Sequence, residues 1–402
     1  MRTGGTSAVA VTGVGMVTPA GIGTEVSWAR VCDGRATAGV DPRLVGGDIE
    51  RACTVGGFDA ERLLGGKVSC RTDRSTQFAL VAAAEAVTDA GLDPTGWDAP
   101  RVAVVCGSAH GGTLSMEDNH HRHLSSREVS ALAVPMMLPN MAAGELAVRL
   151  HALGPNLSPA MGCVSGTSAL GLGRELILMG AADIVLAGAS EASVSAFAVA
   201  CLHRVRALSV QQVARPFDAD RDGFVLAEGA AVLVLESLAH ARTRGAPVRA
   251  LLAGHATSAD GHHATSPHPE GHGLIRAVTA ALADAGLPAG QVEHVNAHAT
   301  GTPQGDAAEA AALRGLTPQA AVTSVKGCLG HTLGAAGAIE AALTVLTVQH
   351  GIVPPTTGLT RQDPGFGLDV VHGAARHMPV GAALSTSSGF GGQNAALVIT
   401  PA

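Results

Sequence analysis

A helical run ending in Asp89-Ala90-Gly91-Leu92 leads through a loop into a strand, and the same order recurs at Asp284-Ala285-Gly286-Leu287. The two tetrapeptides lie 195 positions apart (284 − 89), about half of the 402-residue chain. A glycine closing an alanine-rich helix is common by itself, so the weight falls on the elements that repeat around it. The spacing predicts two similar halves, 1–246 and 247–402, joined near Arg244 to Arg249.

Each half alternates short apolar runs with alanine-rich amphipathic ones. Residues 8–12, 101–106, 183–187, 231–235 and 292–296 read as buried strands. Residues 75–90, 166–179, 273–285 and 335–349 carry apolar side chains at helical spacing and stop near glycine or polar residues. Such alternation predicts a layered α/β architecture. A chain of this length, 47% hydrophobic and only 15% charged, buries a large core without disulfide or metal staples.

Several function classes fall away. A net charge of −7 argues against a general nucleic-acid binder, which needs clustered positive charge. The 7 cysteines contain no Cys-x-x-Cys pair, so neither a secreted disulfide framework nor a zinc site is indicated, and the reducing cytoplasm is the expected compartment. The apolar start is broken by glycines, and no run of about 18 apolar residues follows, so neither export nor membrane insertion is expected. Gly13-Val14-Gly15 lacks the third glycine and distal acid of a dinucleotide fingerprint. His120, His121 and His123, beside Glu117 and Asp118, read as a solvated loop, because adjacent histidines cannot share one face. The histidines from His262 to His272 read likewise.

Three other segments carry chemistry. Cys163, in Met-Gly-Cys-Val-Ser-Gly, directly precedes a helical run. There the helix dipole is expected to lower the thiol pKa, and free N–H groups can hold an oxyanion. A free cysteine is equally a small buried apolar residue, and on position alone both readings stand. His298, in Asn-Ala-His-Ala-Thr-Gly-Thr-Pro, follows a strand, where α/β folds place working residues. His331, in Lys-Gly-Cys-Leu-Gly-His-Thr-Leu-Gly-Ala-Ala-Gly, precedes another helix whose glycines permit close backbone approach. Only Lys67 and Lys326 among the 26 basic residues are lysines, which singles out Lys326.

Together these segments resemble the β-ketoacyl-acyl-carrier-protein synthases of the thiolase superfamily, in the chain-elongating branch. The resemblance also runs through Val-Thr-Gly-Val-Gly-Met-Val-Thr-Pro (11–19), Pro-Asn-Met-Ala-Ala-Gly (139–144), Arg-Pro-Phe-Asp-Ala-Asp-Arg-Asp-Gly-Phe (215–224) and Gly-Phe-Gly-Gly-Gln-Asn (389–394). It implies an α/β thiolase-like fold layered α/β/α/β/α. It also implies a Cys163, His298, His331 catalytic set that condenses a Cys163-bound acyl chain with a malonyl-type extender after loss of CO2. Lys326 then matches the family's lysine and Glu309 the acid after the His298 loop, both orienting the histidines and tuning their charge; a buried Lys and Glu are costly unless paired, so burial of the two together would favour this reading. Phe390 matches the gating aromatic, and the N–H groups of Cys163 and Phe390 the oxyanion site. Thr265, Thr300 and Thr302 match hydroxyls that bind phosphopantetheine, with His263 in a nearby loop.

The implied partners are an acyl carrier protein and a second subunit, in a homodimer or in a heterodimer with a chain-length-factor-like protein. No cofactor of the chain's own and no metal is implied, because the carrier delivers the phosphopantetheine. Arg71, Arg74, Arg204 and Arg206 are candidates for docking the acidic carrier. Met161-Gly162 and Gly327, the short 209–214 segment and Ser385-Thr386-Ser387-Ser388 depart from the usual pattern, which implies a specialised pathway. A non-catalytic chain-length-factor-like role is the main rival, disfavoured by retention of the full residue set. A thiolase acting on coenzyme A esters would need a second cysteine near the chain end, and the last is Cys328. On this reading Cys163→Ala abolishes self-acylation, and His331→Ala spares loading while impairing decarboxylation.

Overall fold

The computed structural model describes residues 8–402. The main sheet runs through β1 (Val9–Thr18), β2 (Val102–Gly107), β3 (Asn156–Leu157), β4 (Ile184–Glu191), β5 (Gly229–Ser237), β6 (Ala250–Ala259), β7 (His294–Asn296), β8 (Ala321–Thr323), β9 (Asp369–Val370), β10 (Ala383–Gly389) and β11 (Gln393–Thr400). The layers on either side are formed chiefly by α1 (Arg74–Asp89), α2 (Met141–Leu150), α3 (Ser165–Leu178), α4 (His272–Ala285), α5 (Pro303–Leu316) and α6 (Ala336–His350).

The strands join in the order β9-β8-β7-β10-β11-β6-β1-β5-β4-β2-β3, with Gly21–Ile22 added on β1. Outward from β1, the pairings with β5 and β4 are antiparallel and those on to β2 and β3 are parallel. Outward from β6, β11 and β10 repeat the antiparallel steps, and β7 and β8 the parallel ones. The two series meet through a short antiparallel contact, Val9–Val11 on Ala250–Leu252. This thiolase-like arrangement wraps two sheet faces around a shared centre.

That centre is made by α3 and α6. Helix α6 is buried on all sides from Ala336 to Val348, as an all-round apolar sequence requires. One core cluster joins Ala169 and Leu170 of α3 and Ile339 and Leu343 of α6 to Val11 and Leu235 on one side and Leu397 and Ile399 on the other. Helices α1 and α2 cover the outer face of the first sheet series, and α4 and α5 that of the second, giving the layers α/β/α/β/α.

Gly13 and Gly15 lie inside β1, where an added Cβ would come within 2.1 Å of Ala86 O and 1.9 Å of Ala82 O. They bring α1 onto the strand, which is a packing role rather than phosphate binding. Strands β6, β10 and β11 went unread in the sequence, because alanine, serine and glycine dilute their β pattern. The region of His120, His121 and His123 is also not a loop: it ends a helix, Thr113–Leu124, with both neighbouring acids engaged. Glu117 accepts from Ser195, and Asp118 pairs with Arg122. Among the described residues no helix is long and apolar enough to cross a membrane.

Candidate active site

Cys163 sits in a tight turn, Gly162–Val164, whose Gly162 has φ of 55°, a conformation that suits glycine. The Ser165 hydroxyl closes the turn by donating to Gly162 O and accepting from Met161 N–H. Helix α3 then starts against the start of α6. A Cβ on Gly166 would fall 2.4 Å from Ala338 N, and one on Gly337 would fall 2.0 Å from Thr167 Oγ1. Only two missing side chains allow this crossing, and it delivers His331 Nε2 to 3.1 Å from Cys163 Sγ.

His298 comes from the end of β7. Its ring stands 5.3 Å from that of His331, nearly perpendicular. One donor atom from each of Cys163, His298 and His331 falls within 4.8 Å of the others. Three residues far apart in sequence therefore share one cavity of about 510 Å³, whose walls also include Thr265, Thr300, Thr302 and Phe390. His268, Glu270 and His272 form a second such cluster of donors on the surface, at a helix start whose dipole opposes a cation.

The motif at 215–224 clamps both histidine segments. Gly223 N–H donates to Gly301 O, Phe217 N–H donates to Asp306, and Asp306 also accepts from Gly301 N–H. The backbone of His331 pairs with Val225 and Ala227, and the Phe224 ring meets the His331 imidazole edge-on at 4.8 Å. Glu309 holds the other loop by accepting from the N–H groups of His298 and Ala299, at 2.9 and 2.6 Å, and from the Thr386 hydroxyl. Glu309 is thus buried as expected, but it grips backbone.

The partner of Lys326 is different from the one expected. Lys326 is 1% exposed and pairs with Glu340 on α6, not with Glu309. Glu340 is the residue that sequence reasoning missed. The signal was there, because Glu340 is the only acidic or basic side chain, histidine aside, in the otherwise apolar α6. Burial raises its carboxyl to about 7 against the pull of Lys326.

Burial first, and Lys326 second, push both histidines well below the ordinary imidazole range, and His331 adds to the effect on His298. Both rings are therefore neutral at physiological pH. The thiol runs against the expectation from the helix start. Burial, with help from Glu191 and Glu340, pushes Cys163 up to about 12, although Lys326 opposes it. A helix terminus supplies about 0.3–2 kcal/mol, too little to offset enclosure on this scale, so the thiol needs a base.

Phe390 is 47% exposed in a glycine-flanked turn whose Gly391 N–H donates to Ala264 O. Among the described residues neither Cys163 N–H nor Phe390 N–H donates to a protein acceptor, and a Cβ on Gly389 would lie 3.4 Å from Cys163 N. Thr300 and Thr302 share a hydrogen bond of 3.0 Å at the cavity wall. Of the four arginines, Arg206 lines the cavity mouth and Arg204 is exposed nearby. Arg71 pairs with Glu145. Arg74 does not belong to a docking patch: it is bound to buried Glu228 at 2.7 Å and stacked on Phe78.

Comparison with known proteins agrees along the whole length. Residues 6–241 match the family described as beta-ketoacyl synthase, N-terminal domain, and residues 249–360 match its C-terminal domain. A 3-oxoacyl-[acyl-carrier-protein] synthase 2 from Staphylococcus aureus is 38% identical, covering 97% of each chain. Among solved structures, the ishigamide ketosynthase/chain length factor aligns with a TM-score of 0.94 at 31% identity over 99% of this chain and 100% of that one. A type II PKS acyl-carrier protein complex with its ketosynthase bound to the hexaketide gives 0.91 at 30% identity, with the same coverage.

Proposed function

The chain belongs to the beta-ketoacyl synthase family, and we propose that it performs decarboxylative Claisen condensation on a carrier protein. The acyl chain is held on Cys163, the extender is malonyl on an acyl carrier protein, and the pathway is a specialised type II polyketide or fatty-acid one. The observation that carries this reading is the 3.1 Å contact between Cys163 and His331, with His298 alongside.

In the first half-reaction Sγ attacks the acyl thioester and its proton leaves through His331 Nε2, ending on the departing pantetheine sulfur. The thiol's high pKa makes this transfer necessary, so His331→Ala slows loading as well as decarboxylation, in contrast to the expectation from sequence. In the second half-reaction the bond to the extender's carboxylate breaks, CO2 leaves and the electron pair becomes an enolate. Neutral His298 and His331 donate N–H to its oxygen. Their Nδ1 atoms have no protein partner, so either tautomer forms without losing a hydrogen bond. The enolate carbon then attacks the Cys163 thioester, the N–H groups of Cys163 and Phe390 hold the oxyanion, and the thiolate leaves.

Thr265, Thr300 and Thr302 serve the phosphopantetheine arm, and Phe390 gates the cavity. The partners in this reading are an acyl carrier protein, docking near Arg204 and Arg206, and a second thiolase-fold subunit, either identical or chain-length-factor-like. Solved neighbours with both kinds of partner support it. In this reading the halves, 1–246 and 247–402, meet near Arg244 to Arg249, and the setting is cytoplasmic, in keeping with seven free cysteines. A non-catalytic role is disfavoured by the complete Cys163, His298, His331 and Lys326 set.

The test is mass spectrometry of the protein after incubation with acylated carrier. Acyl adducts on the native chain and none on a folded Cys163→Ala variant are expected. Undiminished condensation by that variant would refute the assignment.

A further inference from the structure

The cavity has two unlike ends. One is hydroxyl-rich, with Thr265, Thr300 and Thr302, and suits the polar pantetheine arm. The other is walled by Ala109, Leu202, Phe224 and Leu333, which pack in one apolar cluster that reaches Cys163. An acyl chain on Cys163 extends into this second end, because the first is taken by the arm.

An ionisable side chain, His110, follows Ala109 at that apolar end. His110 lines the cavity, and its side chain is 51% exposed. Its Nδ1 lies 3.3 Å from Ser193 Oγ and 3.7 Å from Glu191 Oε1. The Ser193 hydroxyl is spent on Glu191, so Nδ1 donates to Ser193. Glu191 is fully buried and also accepts from Ala109 N–H and the Ser108 hydroxyl, which fixes it behind the ring. The other ring nitrogen, Nε2, has no hydrogen bond among the described residues. Neutral, it accepts from a hydroxyl; protonated, it donates to a carbonyl. The Glu191 carboxylate, 3.7 Å away behind Ser193, raises the His110 pKa and favours the donor form.

We propose that His110 is a specificity residue that selects acyl chains carrying a keto or hydroxyl oxygen over saturated ones, by meeting that oxygen with Nε2. A saturated chain would leave the nitrogen against methylenes with neither water nor partner. The inference rests on the condensing reaction proposed above, and the test separates the two.

The probes are pantetheine thioesters of acetate, of octanoate, and of octanoates bearing one oxo group at the third, fifth or seventh carbon. Competitive loading of Cys163 is read by mass spectrometry. At least one oxo chain is expected to load about tenfold faster than octanoate on the native protein, equal to about 1.4 kcal/mol. His110→Leu is expected to erase that preference while acetyl, which is too short to reach the apolar end, still loads within about twofold of native. His110→Gln, which keeps a hydrogen-bonding end group, is expected to retain most of the preference. Equal loading of octanoate and every oxo chain by the native protein, or an unchanged ratio in His110→Leu, would overturn the specificity proposal alone. Failure of acetyl to load on the native protein would sink the condensing reaction and this proposal with it.

Discussion

Helices α3 and α6 hold equivalent places in two halves whose strands run in the same order, yet the residues just before them serve opposite chemistry. Cys163 before α3 is the proposed nucleophile, and His331 before α6 is its proposed base. The reciprocal contacts of Gly166 with Ala338 and of Gly337 with Thr167 are nearly symmetric. The surrounding charge is not, because Lys326 and Glu340 both belong to the second half. The crossing thus supplies proximity to both sides equally, whereas burial first, and Lys326 from the second half next, hold the histidines neutral. Proximity and protonation have separate structural sources here.

The largest expected effect divides the histidines. With His331→Ala, loading at neutral pH falls by about 10²–10⁴. It then climbs about tenfold per pH unit, since a thiol pushed up to about 12 deprotonates only as pH rises. His298→Ala keeps loading within about threefold and loses malonyl decarboxylation, as His331→Ala also does. Equal loading loss in the two variants, measured by quenched mass spectrometry, would break the contrast.

Removing charge comes next. Lys326→Met leaves Glu340 alone in the core and costs about 3–5 kcal/mol in denaturant unfolding near pH 8. The sign follows from the carboxyl: its folded pKa is raised, so stability is full below the ordinary value of 4.5 and is lost as pH rises from there through about 7. The deficit against the native protein therefore shrinks as pH falls towards 5. A pH-independent deficit would mean that Glu340 is not the stranded charge.

Gly337→Val attacks the crossing instead of the charge. Overpacking costs about 1–3 kcal/mol, and parting Cys163 from His331 slows condensation by about 10². Condensation at the native rate in a folded variant would show that the close approach of α3 and α6 is not needed. The smallest effect is on the substrate arm: Thr300→Ala raises KM for pantetheine substrates by about 2–10-fold with kcat unchanged. A fall in kcat alone would move Thr300 out of the arm site and into the chemistry.

Much of the site was legible because each piece is local. A glycine-flanked turn before a helix, as at Cys163 and His331, or just after a strand, as at His298, needs only near neighbours to be recognised. The misreadings at the site concern neighbours that only the fold brings together. Arg74 looked free because its acid, Glu228, lies 154 positions away. Lys326 was matched with Glu309 because the Glu340 carboxylate, on an apolar helix, becomes its neighbour only when α6 is buried. The segment of His120, His121 and His123 passed for a loop because its helix, Thr113–Leu124, is held by tertiary contacts such as Glu117 with Ser195.

The amino-acid sequence by itself determined the alternation of elements, the doubling of the chain and the residue types available at each turn, because these depend on backbone preferences and apolar spacing over a few residues. Tertiary structure alone decided which groups are neutral, which carboxylate meets Lys326, and that sulfur and imidazole stand 3.1 Å apart. Those outcomes depend on desolvation and on distances between residues some 170 positions apart (331 − 163 = 168), and they exist only once the two central helices have been buried against each other.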